Sequence, residues 1–360
     1  MIIFIVGLFL ILYCLLARGN YKGRIGFLFP LVIMGFQYID TPDFIGYKES
    51  FAIGGIVYTV KEFEFGWLWL NNLFQFAGFH AMIFFMAVFQ CCVCAYYVKH
   101  VAPKETQWLG VLLFFFCFPC MLMMMWALRQ GMAIAFFVLA FCLAYNNKII
   151  PSIISGILSF SFHNSVAILL PLLGLYLFFN NSQRGKHNNK GSKGNWVLIA
   201  TPIILFILVF FKKTFLNQYL IPFALASSDT YGGYTDELQV FDLSWWVSIY
   251  YCIHGMLLSL LYKFSTKGRI FVLLSIISVF CNLIFYGLGN LMRVSNYFII
   301  FTIATIPMVV HMLRGQYKWG RLYSFIYILL IVVVELRNTL PWLFLQTEDN
   351  FHTYTFSFLH

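Results

Sequence analysis

Residues 81–98 read AMIFFMAVFQCCVCAYYV, eighteen positions without one charged side chain. A helix needs about 20 mostly apolar residues to cross the hydrocarbon core of a membrane, with a range of about 17–25. The first charged residue after the stretch is Lys99. The stretch therefore predicts a transmembrane helix.

The whole chain has the same character. Of its 360 residues, 61% are hydrophobic and 10% are charged, against about 45–50% and about 25% in soluble domains. The surplus apolar surface must face lipid, which predicts an all-α, polytopic membrane protein in which residues 1–360 form a single integral membrane domain. Twelve transmembrane helices are predicted, the first as a retained helix rather than a signal peptide, at about 1–17, 25–40, 81–98, 107–122, 125–145, 149–163, 164–179, 196–211, 244–262, 270–288, 295–313 and 322–340.

The charges assign these helices a topology. If the loop from Arg18 to Arg24 is cytoplasmic, alternation puts five further short loops inside, at 99–106, 146–148, 180–195, 263–269 and 314–321. The six loops hold 16 of the 23 Lys and Arg residues and one of the 13 acids. Basic residues collect in short cytoplasmic loops, so the count supports the alternation. Both termini and two long loops, about 41–80 and 212–243, are then expected outside.

The segment EFGWLWLNNLFQFAGF, which starts at Glu64, is too short to cross the membrane. Its polar residues recur at helical spacing, and Trp67 and Trp69 suit the depth of the lipid headgroups. We expect a short interfacial helix on the outer side.

Two cysteine pairs have the CxxC spacing of some metal and redox sites, Cys91 with Cys94 and Cys117 with Cys120. Both pairs lie in apolar segments, where we expect thiols to act as small buried hydrophobic groups. No phosphate-binding glycine motif occurs in the chain. The sequence predicts no metal site, no cofactor and no nucleic-acid partner.

Three cationic or titratable residues lie at the outer ends of predicted helices: Arg129, His163 and Arg293. A charge within a spanning segment is costly and marks a candidate functional site, although an interfacial arginine can also snorkel to the headgroups. Arg129 has no acid in its own segment. Histidine can act as a base, an acid or a neutral donor near neutral pH.

Five further residues are candidates by position. Asp43 and Tyr47 are four apart and would share one helix face, Glu64 opens the interfacial helix, Gln130 follows Arg129, and Tyr297 follows Arg293 by one helical turn. The shared outer depth of the three cationic groups indicates a cavity for an anionic ligand, and the planar fork of arginine suits phosphate. A lipid-linked diphosphate would satisfy both the charge and the apolar surroundings.

With these motifs the chain resembles the EpsG family, which groups with the Wzy-type polysaccharide polymerases. The matching pieces occur in the family's order and cover about residues 40–300: TPDFIGYKESF (41–51), EFGWLWLNNLF (64–74), ALRQGMAIAF (127–136), LSFSFHNSVAILLPLL (158–173) and RVSNYFIIF (293–301).

The resemblance implies a glycosyltransferase fold of the GT-C-like, polymerase-ligase type. Such an enzyme polymerises undecaprenyl-diphosphate-linked repeat units of an exopolysaccharide, capsule or O-antigen at the outer face of the bacterial cytoplasmic (inner) membrane, without metal or nucleotide sugar. Expected partners are that lipid-linked oligosaccharide, membrane lipid, and chain-length regulator and flippase proteins.

Carried over to this chain, Arg129 and Arg293 would hold the diphosphate, with Gln130, Tyr47, Tyr297 and Glu64 as further substrate-binding residues. His163 and Asp43 are the two candidate bases, and the resemblance does not rank them.

Three other functions remain open at this point. Twelve helices suit a flippase for the same lipid-linked sugars, although no inverted repeat and no charges at the membrane centre are visible. An O-antigen-type ligase would use the same donor with another acceptor. A membrane O-acetyltransferase would need a cytoplasmic site for its acyl donor, and no such site is evident.

Overall fold

The computed structural model describes residues 2–17, 22–39, 42–52, 64–117, 120–183, 195–215, 245–265, 268–285, 292–344 and 354–356. Helices dominate these ranges, as expected for an all-α membrane protein. Their bounds are α1 Ile2–Leu16, α2 Lys22–Ile25, α3 Leu28–Gly35, α4 Pro42–Ala52, α5 Phe65–Phe74, α6 Phe79–Val101, α7 Gln107–Phe116, α8 Met121–Trp126, α9 Leu128–Tyr145, α10 Ile149–Phe162, α11 Leu170–Gln183, α12 Asn195–Phe215, α13 Trp245–Phe264, α14 Arg269–Phe285, α15 Met292–Ile299, α16 Thr302–Gln316 and α17 Gly320–Phe344.

Three of the described helices, α6, α9 and α13, are long and apolar enough to cross a membrane. Shorter apolar helices occupy other predicted spans, among them α1, α10 and α14. The chain is therefore a membrane protein, and each of the twelve predicted segments carries helix. The number of crossings and the position of the termini remain predictions.

The chain divides into two compact units, Met1–His187 with Glu335–His360, and Asn188–Val334. In the first unit, α9 lies at the centre and packs against α6 and α10. The hydroxyls of Ser152 and Ser159 on α10 donate to backbone carbonyls of α9, at 2.8 and 2.6 Å. A side chain at Gly131 would come within 2.9 Å of Gln90 Nε2, so glycine allows α9 to approach α6 closely. Cys91, Cys94, Cys117 and Cys120 are buried free thiols in this unit.

Several predicted spans in this unit are not continuous helices, and the span 25–40 departs furthest from one. Residues 25–40 hold the end of α2, then α3, and then a strand, β1 Gln37–Ile39, which pairs antiparallel with β2 Tyr354–Phe356. This pair was not predicted, because the two strands are far apart in the chain. The Gln37 amide also donates to the carbonyl of Met125, at 3.4 Å, and so ties β1 to α8.

Three helices of the first unit end within or next to predicted spans, and two of these breaks lie beside site residues. The helix α7 ends at Phe116. The helices α8 and α9 are separated only by Ala127. The predicted boundary between the spans 149–163 and 164–179 is confirmed, because α10 ends at Phe162 and His163 is extended, with φ −159° and ψ 118°. A short 3-10 turn, Asn164–Ile168, then leads to α11.

The predicted short helix after Glu64 is confirmed as α5. One side of it is buried, with Gly66, Trp67, Leu70 and Asn71. The opposite side exposes an apolar stripe of Phe65, Trp69 and Leu73 at a spacing of four residues. An apolar outer side on a helix too short to span suits contact with the lipid interface, and that placement remains a prediction.

The second unit contains α12 to α16 and most of α17. In it, α13 packs against α12, α14 and α16. Buried polar pairs join its helices: His254 Nδ1 lies 2.5 Å from the Tyr327 hydroxyl, and Ser275 Oγ lies 2.8 Å from Thr305 Oγ1. Buried polar groups need such partners to offset their lost hydration. The predicted site residues Arg293 and Tyr297 lie on α15 of this unit.

Candidate functional site

The carboxylate of Glu64 is the centre of a polar cluster in the first unit. Its Oε2 forms an ion pair with Nη1 of Arg129. Its Oε1 lies 3.0 Å from Nδ1 of His163 and accepts the backbone N–H of Asn164 at 3.4 Å. The cluster thus joins the start of α5, the first turn of α9 and the break after α10, which are far apart in the chain.

Glu64 occupies the position before the first residue of α5, with extended backbone angles of φ −64° and ψ 146°. A polar side chain at this position commonly caps the helix by accepting a backbone N–H of the first turn. Glu64 forms no such bond, because its carboxylate is directed at Arg129 and His163 instead. The Glu64 side chain therefore contacts residues that are distant in the chain and does not cap α5.

Arg129 is the second residue of α9. A cation in the first turn of a helix faces the positive end of the helix dipole, which is unfavourable, so helix stability does not explain an arginine there. Its Nε donates to the hydroxyl of Tyr47 at 3.5 Å, and its guanidinium carbon lies 5.7 Å from the centre of the Tyr47 ring. The Tyr47 ring packs on buried Trp67 at 4.9 Å between centroids. Tyr47 and Glu64 therefore hold the guanidinium from two sides.

The three charged or titratable side chains differ in exposure. Glu64 is 9% exposed, whereas Arg129 and His163 are 23% and 20% exposed. The carboxylate is therefore shielded behind its two partners, which are the groups that a ligand can reach. Burial alone would raise the pKa of the Glu64 carboxyl, but the His163 hydrogen bond and the Arg129 charge lower it to about 2. The carboxylate is ionised at neutral pH.

Close packing sets the distance between α5 and α10. A Cβ added to Gly66 would lie 2.6 Å from Oγ and 2.8 Å from the carbonyl oxygen of Ser161. Only glycine allows this approach, which brings Glu64 and His163 within hydrogen-bonding distance. At the other end of α5, the Gln75 amide donates to the carbonyl of Phe51 at 2.8 Å and fastens α5 to α4, the helix that carries Tyr47.

The structure brings together four of the eight predicted site residues: Tyr47, Glu64, Arg129 and His163. Arg129 has no acid in its own segment, and its partner in the structure, Glu64, comes from another segment. An acid in an outer loop is ordinarily solvated, so the position of Glu64 in the sequence does not show this pairing.

The other predicted residues lie elsewhere. Asp43 is exposed in the first turn of α4, one turn before Tyr47, and makes no hydrogen bond or ion pair with any other described residue. Gln130 is buried in the packing of α9, at 3% exposure. In the second unit Tyr297 is buried, and the Arg293 side chain lies outside the described residues.

The roles of Gly66 and of the Asn164 backbone N–H were not predicted. Small residues allow membrane helices to approach closely, so the glycine in EFGW was an available signal for Gly66. Within the described ranges, no three His, Cys, Asp or Glu side chains are grouped to hold a metal ion.

Chemically, the cluster combines a histidine ring that faces an accessible side, a carboxylate behind it and a partly exposed guanidinium. Such a set can move a proton and stabilise an anion at the same place.

Comparison with known proteins agrees with the order of motifs in the sequence. The model of the EpsG family matches residues 20–355. No curated protein matches the chain, and no solved structure does. The match covers nearly the whole chain and includes every residue of the cluster. The chain therefore belongs to the EpsG family and is a membrane protein of the polysaccharide polymerase type.

Proposed function

We propose that the protein polymerises undecaprenyl-diphosphate-linked oligosaccharide repeat units at the outer face of the bacterial cytoplasmic membrane, as a metal-independent glycosyltransferase. Family membership supports the reaction class. The observation that carries the proposal is the contact of Glu64 with both Arg129 and His163, because it joins a proton acceptor and a cation in one partly open cluster.

In the proposed reaction, a hydroxyl of the acceptor sugar attacks the anomeric carbon of the donor repeat unit. The proton of that hydroxyl passes to a base. The oxygen forms the new glycosidic bond, while the bond from the anomeric carbon to the diphosphate breaks and its electron pair leaves with the diphosphate. The atoms balance without a nucleotide, a metal or an oxidant.

The cationic residues have the complementary role. Negative charge develops on the leaving diphosphate, and fixed cations that meet it lower the barrier. Arg129 and Arg293 are proposed to bind this group, because guanidinium can bind two phosphate oxygens at once. Tyr47 braces Arg129 directly, while Gln130 and Tyr297 are proposed to support substrate binding from the two arginine-bearing helices.

Reconstitution tests this function directly. Purified protein in phospholipid vesicles is given one lipid-linked repeat unit, with EDTA and without any nucleotide sugar. A ladder of products that differ by one repeat unit is expected. Glu64→Gln should weaken the ladder, and Glu49→Gln, which changes an exposed acid on α4, is the matched control that should keep it. Transport of the labelled lipid across the bilayer without a ladder would identify a flippase, and one single transfer to a different acceptor would identify a ligase.

A further inference from the structure

Two bases are predicted, His163 and Asp43, and the structure places only His163 in the cluster around Glu64. Resting on the polymerase function proposed above, we propose that His163 is the base through its Nε2 and that Glu64 is the positioning residue that fixes the ring for this role. Asp43 is then not the base.

The contact with Glu64 determines which ring nitrogen of His163 carries the hydrogen. Oε1 of Glu64 lies 3.0 Å from Nδ1 of His163. An ionised carboxylate can only accept hydrogen bonds, so Nδ1 must carry the hydrogen and donate it. In the neutral ring the second nitrogen then has a free lone pair. The low pKa of Glu64, about 2, keeps the carboxylate ionised at neutral pH and so keeps this assignment.

The backbone of His163 is held in place, and its ring is partly exposed. His163 is extended between α10 and the 3-10 turn, and its carbonyl accepts the N–H of Val166 at 3.1 Å. Within the described part of the chain, no hydrogen bond involves Nε2, and the side chain is 20% exposed. A base must reach the proton that it removes. Because Nδ1 faces Glu64, Nε2 is the nitrogen left to accept that proton.

The second carboxylate oxygen of Glu64 also has a partner. Oε2 of Glu64 is bound by Arg129, which Tyr47 holds in turn. Because each oxygen has its own partner, the carboxylate cannot turn away from His163 without also breaking the pair with Arg129. Each contact therefore restrains the other, and the ring is held by a network rather than by one flexible side chain.

Asp43 has none of these features. It is exposed on α4, and among the described residues nothing restrains its carboxylate. A base must be held within hydrogen-bond reach of the proton that it removes. This condition favours the restrained ring of His163 over the carboxylate of Asp43.

The first test reads the ring itself and needs no activity. Nitrogen-15 NMR of the histidine-labelled wild-type protein, at about pH 8.5 where an ordinary imidazole is neutral, should show His163 with hydrogen on Nδ1 and none on Nε2. The signal is assigned by its loss in His163→Gln. In Glu64→Gln the new amide can donate as well as accept, so the hydrogen should be redistributed between the nitrogens. A wild-type ring with its hydrogen on Nε2 would overturn the proposal.

The second test is kinetic and uses the vesicle assay. His163→Asn should lower kcat by about 10²–10⁴-fold, the usual contribution of a general base. Glu64→Gln should also lower kcat by at least about 10²-fold with KM for the donor changed little, because loss of an orienting carboxylate leaves a histidine in the wrong tautomer. Asp43→Asn should lower kcat by less than about tenfold, below the range of a base.

The outcomes separate this inference from the proposed function. If the wild-type protein makes no ladder, the polymerase function fails, while the NMR result still reports whether Glu64 positions His163. If the ladder forms and Asp43→Asn abolishes it while Glu64→Gln does not, the polymerase stands and the assignment of the base is wrong.

Discussion

The substitution Gly66→Ala tests whether the close approach of α5 and α10 builds the site. The added Cβ would lie 2.8 Å from the Ser161 carbonyl oxygen, and ordinary van der Waals contact begins at 3.4 Å, so α5 must move away by about 0.6 Å. A rigid shift of this size would lengthen the 3.0 Å contact between Glu64 Oε1 and His163 Nδ1 to about 3.6 Å. Hydrogen bonds of this kind are ordinarily about 2.7–3.2 Å long, so the contact would be lost.

The expected result of Gly66→Ala is a loss of polymer ladder larger than its loss of stability. Overpacking of this kind ordinarily costs about 1–3 kcal/mol of folding stability, whereas loss of the ring's partner should cost at least about 10²-fold in kcat. The assay is the vesicle ladder, measured beside the melting temperature of the purified protein.

Two further variants make the Gly66→Ala test specific. Gly174→Ala on α11 is the matched control, because no atom of the described residues lies within 4 Å of its added Cβ, and it should keep both activity and stability. Ser161→Gly should not rescue Gly66→Ala, because the Ser161 carbonyl oxygen and carbon, at 2.8 and 2.9 Å, would remain. Full activity in Gly66→Ala, or rescue by Ser161→Gly, would refute the packing argument.

Arg129→Lys should lose at least about tenfold in ladder formation, because an ammonium cannot hold Glu64, Tyr47 and a diphosphate in one plane. Unchanged activity would exclude Arg129 as the residue that binds the diphosphate. Because the pKa of Glu64 is lowered from 4.5 to about 2, its ion pairs contribute stability that is complete above about pH 5 and is lost as the pH falls through 4.5 towards 2. The melting temperature should drop over that interval in the wild type and drop less in Glu64→Gln; equal drops would count against the pair. A cysteine at Ser228 should be labelled by an impermeant reagent from outside and one at Ser192 should not; the reverse pattern would overturn the topology.

Local sequence patterns predicted much of the helical fold because apolar segments and their breaks are local properties. The boundary between the spans 149–163 and 164–179 is one example, since Ser161 and Asn164 mark it within a few positions. The helix after Glu64 is another, since its polar residues recur at helical spacing. The pairing of 37–39 with 354–356 could not be found in this way. Strand pairing across most of the chain leaves only a weak trace in each strand.

The site was predicted in part for a related reason. The cost of a charge in the membrane singled out Arg129 and His163 one at a time, but it could not show that Glu64 joins them. That contact depends on the approach of α5 to α10, which the identity of Gly66 permits. Arg129, which has no acid in its own segment, is bound by both Glu64 and Tyr47 in the structure.

If this cluster joins repeat units outside the cytoplasmic membrane, its loss should leave the donor unused on that side. The measurement is the lipid-linked saccharide content of cells whose only copy of the protein is the folded, inserted His163→Ala variant. A single lipid-linked repeat unit should accumulate on the outer face of the membrane, with no long polymer. Normal polymer, or accumulation of the unit on the cytoplasmic face, would show that the cluster does not have this function.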